Sequence, residues 1–383
     1  MAYPTAIGCG CLLGAGGASH ALAAQWLLQP TLSWELDYDS SRSLVPNAPG
    51  SEEAVLSADL MLQRSLENSR FMLEPHFDVR RFSDSIWGPG DDRSLAGAFS
   101  WSGDRIQLAL NGSIANQNTL TTELLETGIT DTNSRRRSET ASLELDLART
   151  EQHLFYAQAS YLGSSYSGPP ATQALLPGYR YESAAAGERF IFSEHLTFSV
   201  SAFGDILHSD RAGGSSHEAG GQLELSYAHS ERASFDLQVG ESRRVLSGSA
   251  SNGTNVSASA TRNFERGNVS FSYVRSLTPY GNGYLVQREL FSATATRALT
   301  PYLDGDLRLT RIQNNNSTVR LYLDRRFYDN VGLGLNWKLS ETWVLRPEVT
   351  ASWSPPLGSS TTAHEWRAAL TMTWKPLPKI VSR

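Results

Sequence analysis

The chain has 383 residues, a formal net charge of −6, and charged residues that are dispersed rather than grouped in blocks. This balance excludes the basic patches that are typical of nucleic-acid-binding proteins. No run of about 18 apolar residues occurs beyond the N-terminal segment, which excludes transmembrane helices.

The N-terminal segment has the pattern of a secretory signal peptide. A run of apolar and small residues at 6–17 precedes Ala21-Leu22-Ala23-Ala24, which matches the A-x-A pattern of a signal-peptidase site. We therefore expect residues 1–24 to be a signal peptide that is cleaved after Ala23 or Ala24. The first residues carry no Lys or Arg, which a start codon further upstream would explain. A buried N-terminal helix is the alternative, but the many glycines disfavour it.

Cys9 and Cys11 are the only cysteines, and both lie in this segment. The mature chain would then have neither a disulfide nor a thiolate metal site. The eight histidines are scattered, so we expect no metal site and no cofactor.

Beyond residue 24, apolar and polar residues alternate with a period of two over most of the chain. In the stretch 195–206, for example, Leu196 and Phe198 alternate with Thr197 and Ser199. Such alternation places one face of each strand against apolar surroundings and the other against water or polar groups. The predicted strands cover 26–39, 52–65, 70–83, 92–102, 104–117, 136–149, 153–164, 178–192, 195–208, 217–229, 232–245, 254–265, 268–279, 285–298, 302–313, 319–339, 343–354 and 363–375.

The connections between these strands alternate in length. Eight short turns interleave with nine longer loops rich in Gly, Ser, Pro and Asn, which predicts eighteen strands with both termini on the short-turn side. Short periplasmic turns and long extracellular loops are typical of outer-membrane barrels. The predicted fold is therefore all-β, an antiparallel up-and-down β-barrel spanning the outer membrane of a Gram-negative bacterium. Both termini would be periplasmic. Sixteen strands is the alternative, because the stretch 313–330 is weakly patterned.

The predicted organisation is a single domain. Residues 25–375 form the barrel, and residues 376–383 follow it as a periplasmic tail. A water-soluble β-sandwich or β-helix is the alternative, but the sequence has no inter-domain linker and no fixed-period repeat. The apolar faces are rich in small residues, which suits contact with lipid. Examples are Ala157, Ala159, Ala258 and Ala260.

The last predicted strand resembles the terminal β-signal that the outer-membrane barrel-assembly machinery recognises. The matching positions are Arg367, Ala369, Met372 and Trp374, although Gly is usual where Ala369 stands and a short tail follows the final aromatic residue. An ordinary edge strand is the alternative. The expected partners are therefore the assembly machinery, together with outer-membrane lipid and lipopolysaccharide.

Tryptophans lie mainly at or near the ends of the predicted strands. In a barrel this places their amphipathic rings at the membrane interfaces, whereas in a soluble protein they would be core anchors. We expect an aromatic girdle formed by Trp343, Trp353, Trp366 and Trp374.

No enzyme signature occurs in the sequence, and we expect no catalytic residues. The segment Gly213–Glu218 holds Ser, His and Glu close together, but catalytic triads are assembled by folding rather than by adjacency in sequence. The protein is therefore predicted not to be an enzyme.

Alternation directs a set of charged residues toward the inside of the predicted barrel. A Lys or Arg facing lipid at the membrane midplane costs about 2–4 kcal/mol, which is the physical reason for this assignment. The residues are either a solvated, ion-paired lining or an acidic-leaning pore that guides polar solutes. The predicted lining comprises Glu35, Asp37, Asp59, Glu74, Asp78, Arg80, Glu144, Asp146, Glu224, Asp236, Asp304, Asp306, Arg308, Lys338, Arg346 and Glu348.

The first three predicted strands resemble the β-barrel porin 2 family. The resemblance rests on Trp26-x3-Pro30, Tyr38–Arg42, Phe71–Pro75 and Arg81–Asp84, although Ser41 stands where the family often has Asn. It covers roughly the first eighty residues by motif and the rest by architecture. Proteins of this kind are often associated with exopolysaccharide secretion. The resemblance therefore implies a passive conduit for polysaccharide, working with a periplasmic polysaccharide export protein. A general diffusion porin for small polar solutes, or a closed structural or adhesive barrel, is the alternative.

Overall fold

The computed structural model describes residues 25–41, 44, 50–83, 90–119, 134–168, 176–210, 215–246, 249–280, 283–315, 327–354 and 363–382. The predicted signal peptide lies outside these residues. Nearly all of the described chain is β-strand. The strands are β1 (Gln25–Asp39), β2 (Ser51–Ser65), β3 (Ser69–Phe82), β4 (Gly90–Ser102), β5 (Ile106–Asn118), β6 (Arg135–Ala148), β7 (His153–Ser167), β8 (Tyr179–Ile191), β9 (Leu196–Ser209), β10 (Ser215–Ser230), β11 (Ala233–Leu246), β12 (Ser249–Phe264), β13 (Gly267–Pro279), β14 (Leu285–Thr300), β15 (Leu303–Asn315), β16 (Phe327–Lys338), β17 (Trp343–Ser354), β18 (Ala363–Trp374) and β19 (Lys379–Ser382).

Each strand from β1 to β18 pairs in antiparallel fashion with the next one along the chain, and β1 also pairs with β18. The sheet is therefore a closed up-and-down barrel of eighteen strands, which has no free edge. This confirms the fold class and the strand number predicted from the turns, and excludes the alternative of sixteen strands. Among the residues that the structure describes, no helix has the length and apolar character needed to cross a membrane.

The barrel closes along a seam in which β1 has two partners. Its second half, Leu32–Asp39, pairs with β18, and its first four residues pair with β19. Pro30 lies in the gap between the two ladders. Because proline has no backbone N–H to donate, a break in the ladder at this point leaves no donor unsatisfied. The segment expected to be a tail thus contains a short strand against β1, while its periplasmic location stays a prediction.

The two faces of the barrel wall differ in chemistry. Cross-strand partners share a face, so the pairing register assigns every residue of the wall to one side. One face carries exposed apolar residues such as Trp34, Leu36, Leu333 and Val349, whereas the opposite face carries buried polar and charged residues. The apolar face is therefore the outside, and the polar face lines the lumen.

One predicted loop is wrong. The stretch 246–253 is rich in Ser, Asn and Gly and was expected to be a loop, but β12 begins at Ser249, so only residues 247 and 248 separate it from β11. The pairing with β11 continues through this stretch, and Gly253 pairs with Ser242. A side chain at position 253 would meet the guanidinium of Arg244, which glycine avoids. Glycine in this stretch thus serves close packing inside a strand rather than a turn.

The weakly patterned stretch before β16 is the other difference. The strand that was predicted to begin at residue 319 begins at Phe327, and residues 316–326 lie outside the described chain. The remaining strand boundaries agree with the prediction to within a few residues, because turn residues mark them clearly in the sequence.

Candidate functional site: the lumen of the barrel

All the charged residues that were predicted to line the lumen lie on the inner face. Whether they contact a passing solute stays a prediction. Most of them belong to three groups of ion pairs and hydrogen bonds, one on β1 and β18, one on β2–β4 and one on β15–β17. The others form a more scattered set on β3, β6, β10 and β11, which consists of Glu74, Glu144, Asp146, Glu224 and Asp236.

The first group lies at the closing seam. The guanidinium of Arg367 on β18 binds the carboxylates of Glu35 and Asp37 on β1, and its contact with Asp37 measures 2.7 Å. The hydroxyl of Thr371 donates to the second oxygen of Glu35 at 2.8 Å. From the sequence, Arg367 is predicted only as part of an assembly signal. Arg367 alternates with the outward apolar residues of β18, so the period of two is a sequence signal that predicts its inward position.

The second group lies on β2–β4. The guanidinium of Arg80 contacts three carboxylates, those of Glu53 at 3.0 Å, Asp78 at 2.9 Å and Asp92 at 3.3 Å. Next to it, His76 lies between Asp59 and Asp78, with 3.0 Å between its Nε2 atom and Asp78. Glu53, Asp92 and His76 were missed from the sequence, although each alternates with outward apolar residues on its own strand.

The third group lies on β15–β17 and is centred on Arg346. Its guanidinium binds both oxygens of Asp306, at 2.8 and 3.1 Å, and Oε2 of Glu348 at 2.7 Å. Arg308 bridges the same two carboxylates, with 3.1 Å to each. The side chain of Arg346 reaches Asp306 across β16, where Gly334 stands. A Cβ at this glycine would lie 2.6 Å from Nη2 of Arg346, so a larger residue here would require the guanidinium to shift.

A fourth group, on β10–β12, was not predicted. The carboxylate of Glu218 accepts hydrogen bonds from Nε of Arg244 at 3.2 Å, from Asn255 at 3.1 Å and from the hydroxyl of Ser242. Glu218 lies at the start of the predicted strand 217–229 and Arg244 near the end of the predicted strand 232–245, but neither is among the predicted lining residues. Both residues lie on the inner face of regular strands.

Hydroxyl groups occupy much of the inner wall between the charged groups. Cross-strand pairs of Ser and Thr are joined by hydrogen bonds, including Ser160 with Ser183 at 2.6 Å and Ser272 with Ser292 at 2.7 Å. A third pair, Ser113 with Thr140, measures 2.7 Å. Such groups can exchange their mutual hydrogen bonds for bonds to water or to a polar solute at little cost.

The connection between β13 and β14 leans into the lumen at the long-loop end. Leu277 and Leu285 flank this connection and pack against the inner-face residues Leu162, Tyr179 and Leu207 of β7–β9. Because β13 and β14 are not neighbours of β7–β9 in the sheet, this contact is possible only across the lumen. The hairpin therefore narrows the mouth of the barrel.

A second apolar contact lies against the inner wall at the same end of the barrel. Leu44, from the connection between β1 and β2, packs against Ile312 and Tyr328 on β15 and β16. Leu44 has a positive φ of 54°, which a non-glycine residue adopts only when its surroundings hold it there. Its backbone N–H donates to Glu365 at 3.1 Å. The long-loop end of the lumen is thus narrowed by apolar contacts at two places.

The tryptophans expected to form a girdle lie on the outer face in two rows. Trp343 and Trp374 lie at the short-turn end, and Trp353 and Trp366 lie at the long-loop end. Trp343 stacks on Trp34 with ring centroids 5.9 Å apart, and Trp366 packs against Tyr38 at 5.1 Å. The spacing suits two membrane interfaces, and the girdle role stays a prediction.

The Ser-His-Glu segment does not form a catalytic arrangement. Residues 215–218 begin β10, where alternation places Ser216 and Glu218 inside the barrel and His217 outside. Ser216 and His217 therefore cannot share a proton. Within the described chain, no group of three or more His, Cys, Asp or Glu residues is placed to hold a metal ion.

No family model and no curated protein matches the chain, so the resemblance to the β-barrel porin 2 family stays a prediction. Solved structures to which the chain is similar include three proteins of Pseudomonas aeruginosa. OpdQ is 12% identical with a TM-score of 0.47, and the match covers 92% of this chain and 98% of that one. OccK5 (OpdH) is 11% identical over 92% and 98% with a TM-score of 0.49. OccK2 (OpdF), solved in complex with glucuronate, is 14% identical over 91% and 98% with a TM-score of 0.47. The assignment to a porin-type barrel rests on the strand pairing described above.

Proposed function

We propose that this protein is a porin, a passive pore for small polar solutes in the outer membrane of a Gram-negative bacterium, with both termini periplasmic. The observation that carries the proposal is the division of the wall into an apolar outer face and a charged inner face. A soluble barrel would have the opposite arrangement, because water would then contact the outer face. A closed eighteen-strand barrel is also wide enough to enclose an aqueous channel.

The apolar contacts at the mouth favour small solutes over a polymer. The β13–β14 hairpin crosses the lumen at the long-loop end, and Leu44 packs against the inner wall at the same end. An extended polysaccharide would have to keep these contacts at the mouth displaced for as long as it passes through. A small solute needs only the space beside them. We therefore prefer the small-solute porin to the polysaccharide conduit that the family resemblance implied.

The charge of the inner face favours cations over anions. Carboxylates outnumber guanidinium and ammonium groups there, and rings of Asp and Glu raise the local concentration of cations. Among the described residues, the inner-face carboxylates are Glu35, Asp37, Asp39, Glu53, Asp59, Glu74, Asp78, Asp92, Glu144, Asp146, Asp205, Glu218, Glu224, Asp236, Asp304, Asp306, Glu348 and Glu365. The inner-face cationic residues are Arg70, Arg80, Arg136, Arg189, Arg244, Arg288, Arg308, Lys338, Arg346 and Arg367.

Reconstitution into planar bilayers tests this function. We expect steady ion current, and a reversal potential in a KCl gradient whose sign indicates cation preference. Vesicles containing the protein should swell in arabinose and not in dextran. A barrel that passes no current would favour the closed structural or adhesive alternative, and swelling in dextran would favour the polysaccharide conduit.

A matched pair of variants tests the role of the mouth. Leu207→Ala removes part of the apolar contact between the hairpin and the wall, so conductance should rise. Leu223→Ala makes the same change on the outer face of β10 and should leave conductance unchanged. Equal conductance in the two variants would contradict a constriction at this point.

A further inference from the structure

The outer face of β5–β10 contains a groove of about 840 Å³. Small residues form its floor, and larger apolar residues form its walls. The floor consists of Ala141, Ala159, Ala184, Gly204 and Ala219, and the walls are Leu110, Leu143, Tyr161 and Ile206. The volume is in the range of roughly 300–1,000 Å³ that small-molecule sites have.

A second hollow of about 620 Å³ lies on the outer face of β18 and β1–β3, but the guanidinium at its edge, that of Arg81, is already paired with Asp91 at 3.1 Å. On the side opposite the larger groove, the outer face of β15–β18 and β1 carries bulky residues such as Trp337, Leu333, Trp366 and Trp34. The small side chains of the floor leave space in which an acyl chain can lie against the wall.

Charged and polar groups lie at the long-loop end of the groove. Arg180 and His208 are direct cross-strand partners on β8 and β9, and both are exposed on the outer face. Glu182 on β8 and His217 on β10 lie one outward-facing position further into the groove, on either side of Ile206. Among the described residues, none of these four makes an ion pair. By contrast, Arg137 and Glu139 on β6 pair with each other at 2.7 Å.

These groups match the headgroup of a phosphorylated amino-sugar lipid. The guanidinium of Arg180, with its cross-strand partner His208 beside it, can bind a phosphate. The carboxylate of Glu182 can accept hydrogen bonds from sugar hydroxyl or amide groups. A simple diacyl phosphate lipid would leave the carboxylate of Glu182 facing its phosphate without a donor.

We propose that this groove is a binding site for a phosphorylated, acylated glucosamine lipid of the lipopolysaccharide type. One acyl chain lies over the small-residue floor, and a headgroup phosphate contacts Arg180. The inference rests on the proposed location in an outer membrane, since the long-loop end then faces the leaflet in which such a lipid is found. A second copy of the barrel is the other conceivable occupant, and the experiment below distinguishes the two.

Native mass spectrometry of the full-length protein in detergent tests the site. The probe is lipid A with two phosphates, and its dephosphorylated form serves as a comparison. We expect one tightly bound lipid A per barrel and at least tenfold weaker binding of the dephosphorylated form. The double variant Ala159→Leu/Ala184→Leu fills the groove, and Arg180→Glu reverses the charge at its end. Each should weaken binding of lipid A by at least tenfold.

Matched controls make the same changes elsewhere on the outer face. Ala258→Leu/Ala260→Leu fills small positions on β12, and Arg262→Glu reverses a charge at the short-turn end of the same strand. Both should bind lipid A like the unaltered protein. Equal binding by groove and control variants would overturn the proposal. A dimer that only the groove-filling variant disrupts would instead identify a second copy as the occupant.

Conductance of the same variants separates this site from the pore. The groove variants should conduct like the unaltered protein, because every altered residue faces outward. If no protein in the set conducts, the pore proposal fails. The lipid measurement still decides whether the groove binds lipid A. Where the groove-filling variant does not fold, as judged from its unheated gel mobility, the pair Arg180→Glu and Arg262→Glu decides the question alone.

Discussion

The two ends of the lumen hold ion pairs of similar geometry in different surroundings. At the long-loop end, Arg244 lies 3.2 Å from Glu218, and their side chains are 5% and 1% exposed. At the short-turn end, Lys338 lies 3.0 Å from Asp304, and their side chains are 50% and 32% exposed. The distances alone would rank the two pairs as equals.

The difference shows that the burial of an ion pair, rather than its contact distance, determines how much stability the protein loses when one partner is removed. Apolar contacts from the β13–β14 hairpin and from Leu44 narrow the long-loop end, whereas the short turns leave the other end open. A charge that loses its partner in a covered site stays desolvated, which costs several kcal/mol. A charge in an open site is solvated by water and loses little.

Removing one partner of the covered pair should have the largest effect. Arg244→Met keeps most of the side-chain volume but leaves the carboxylate of Glu218 without its cation. We expect the free energy of unfolding to fall by about 3 kcal/mol, toward the low end of the range for buried pairs, because Ser242 and Asn255 still donate to Glu218. Denaturant titration of the protein in lipid vesicles, followed by tryptophan fluorescence, measures this loss. The variant Arg244→Met/Glu218→Gln should recover most of it.

An intermediate effect is expected at the half-covered group around Arg346. Gly334→Ala would place a Cβ 2.6 Å from the guanidinium of Arg346 and 2.9 Å from Asp306. We expect a loss of about 1–3 kcal/mol, as for other overpacked sites. Gly332→Ala is the matched control on the same inner face, because its nearest neighbour would be Thr350 at 3.4 Å. The same titration should show a change within about 0.5 kcal/mol for the control. Equal losses in the two variants would mean that backbone freedom, and not the reach of Arg346, explains the glycine.

The smallest effect is expected at the open end. Lys338→Met breaks the contact with Asp304, but both groups are accessible to water. The free energy of unfolding should change by less than about 1 kcal/mol, and the change should shrink further at high salt. If this variant lost as much stability as Arg244→Met, the contrast between the two ends would be wrong.

Much of the fold was predictable from local patterns. Alternation such as that of Leu196, Thr197 and Phe198 identified the strands and their faces, because side chains on a strand point to opposite sides. It also gave the inward direction of residues such as Asp306 and Glu348. The prediction failed where composition and pairing disagree. Glycine and serine around Gly253 indicated a loop, yet the partner strand β11 supplies enough ladder contacts to hold them in β12.

Contacts between distant strands could not be predicted in this way. Nothing near Leu44 in the sequence indicates that it packs on Ile312, and nothing near Leu285 indicates that it packs on Leu207. Such contacts depend on how far a loop leans into the lumen. They involve residues that are far apart in sequence and have no periodic relation.

By itself, the sequence determined that this chain forms a closed membrane-type barrel with an apolar outside and a charged inside. The physical reason lies in two local patterns: the period of two within each strand, and the alternation of short and long connections between strands. Together they leave one topology in which every backbone hydrogen bond is satisfied, the closed barrel. Only the tertiary structure decided which charges are covered, where the mouth narrows and where the outer face is hollow. Each of these depends on side chains that meet across the barrel or across several strands.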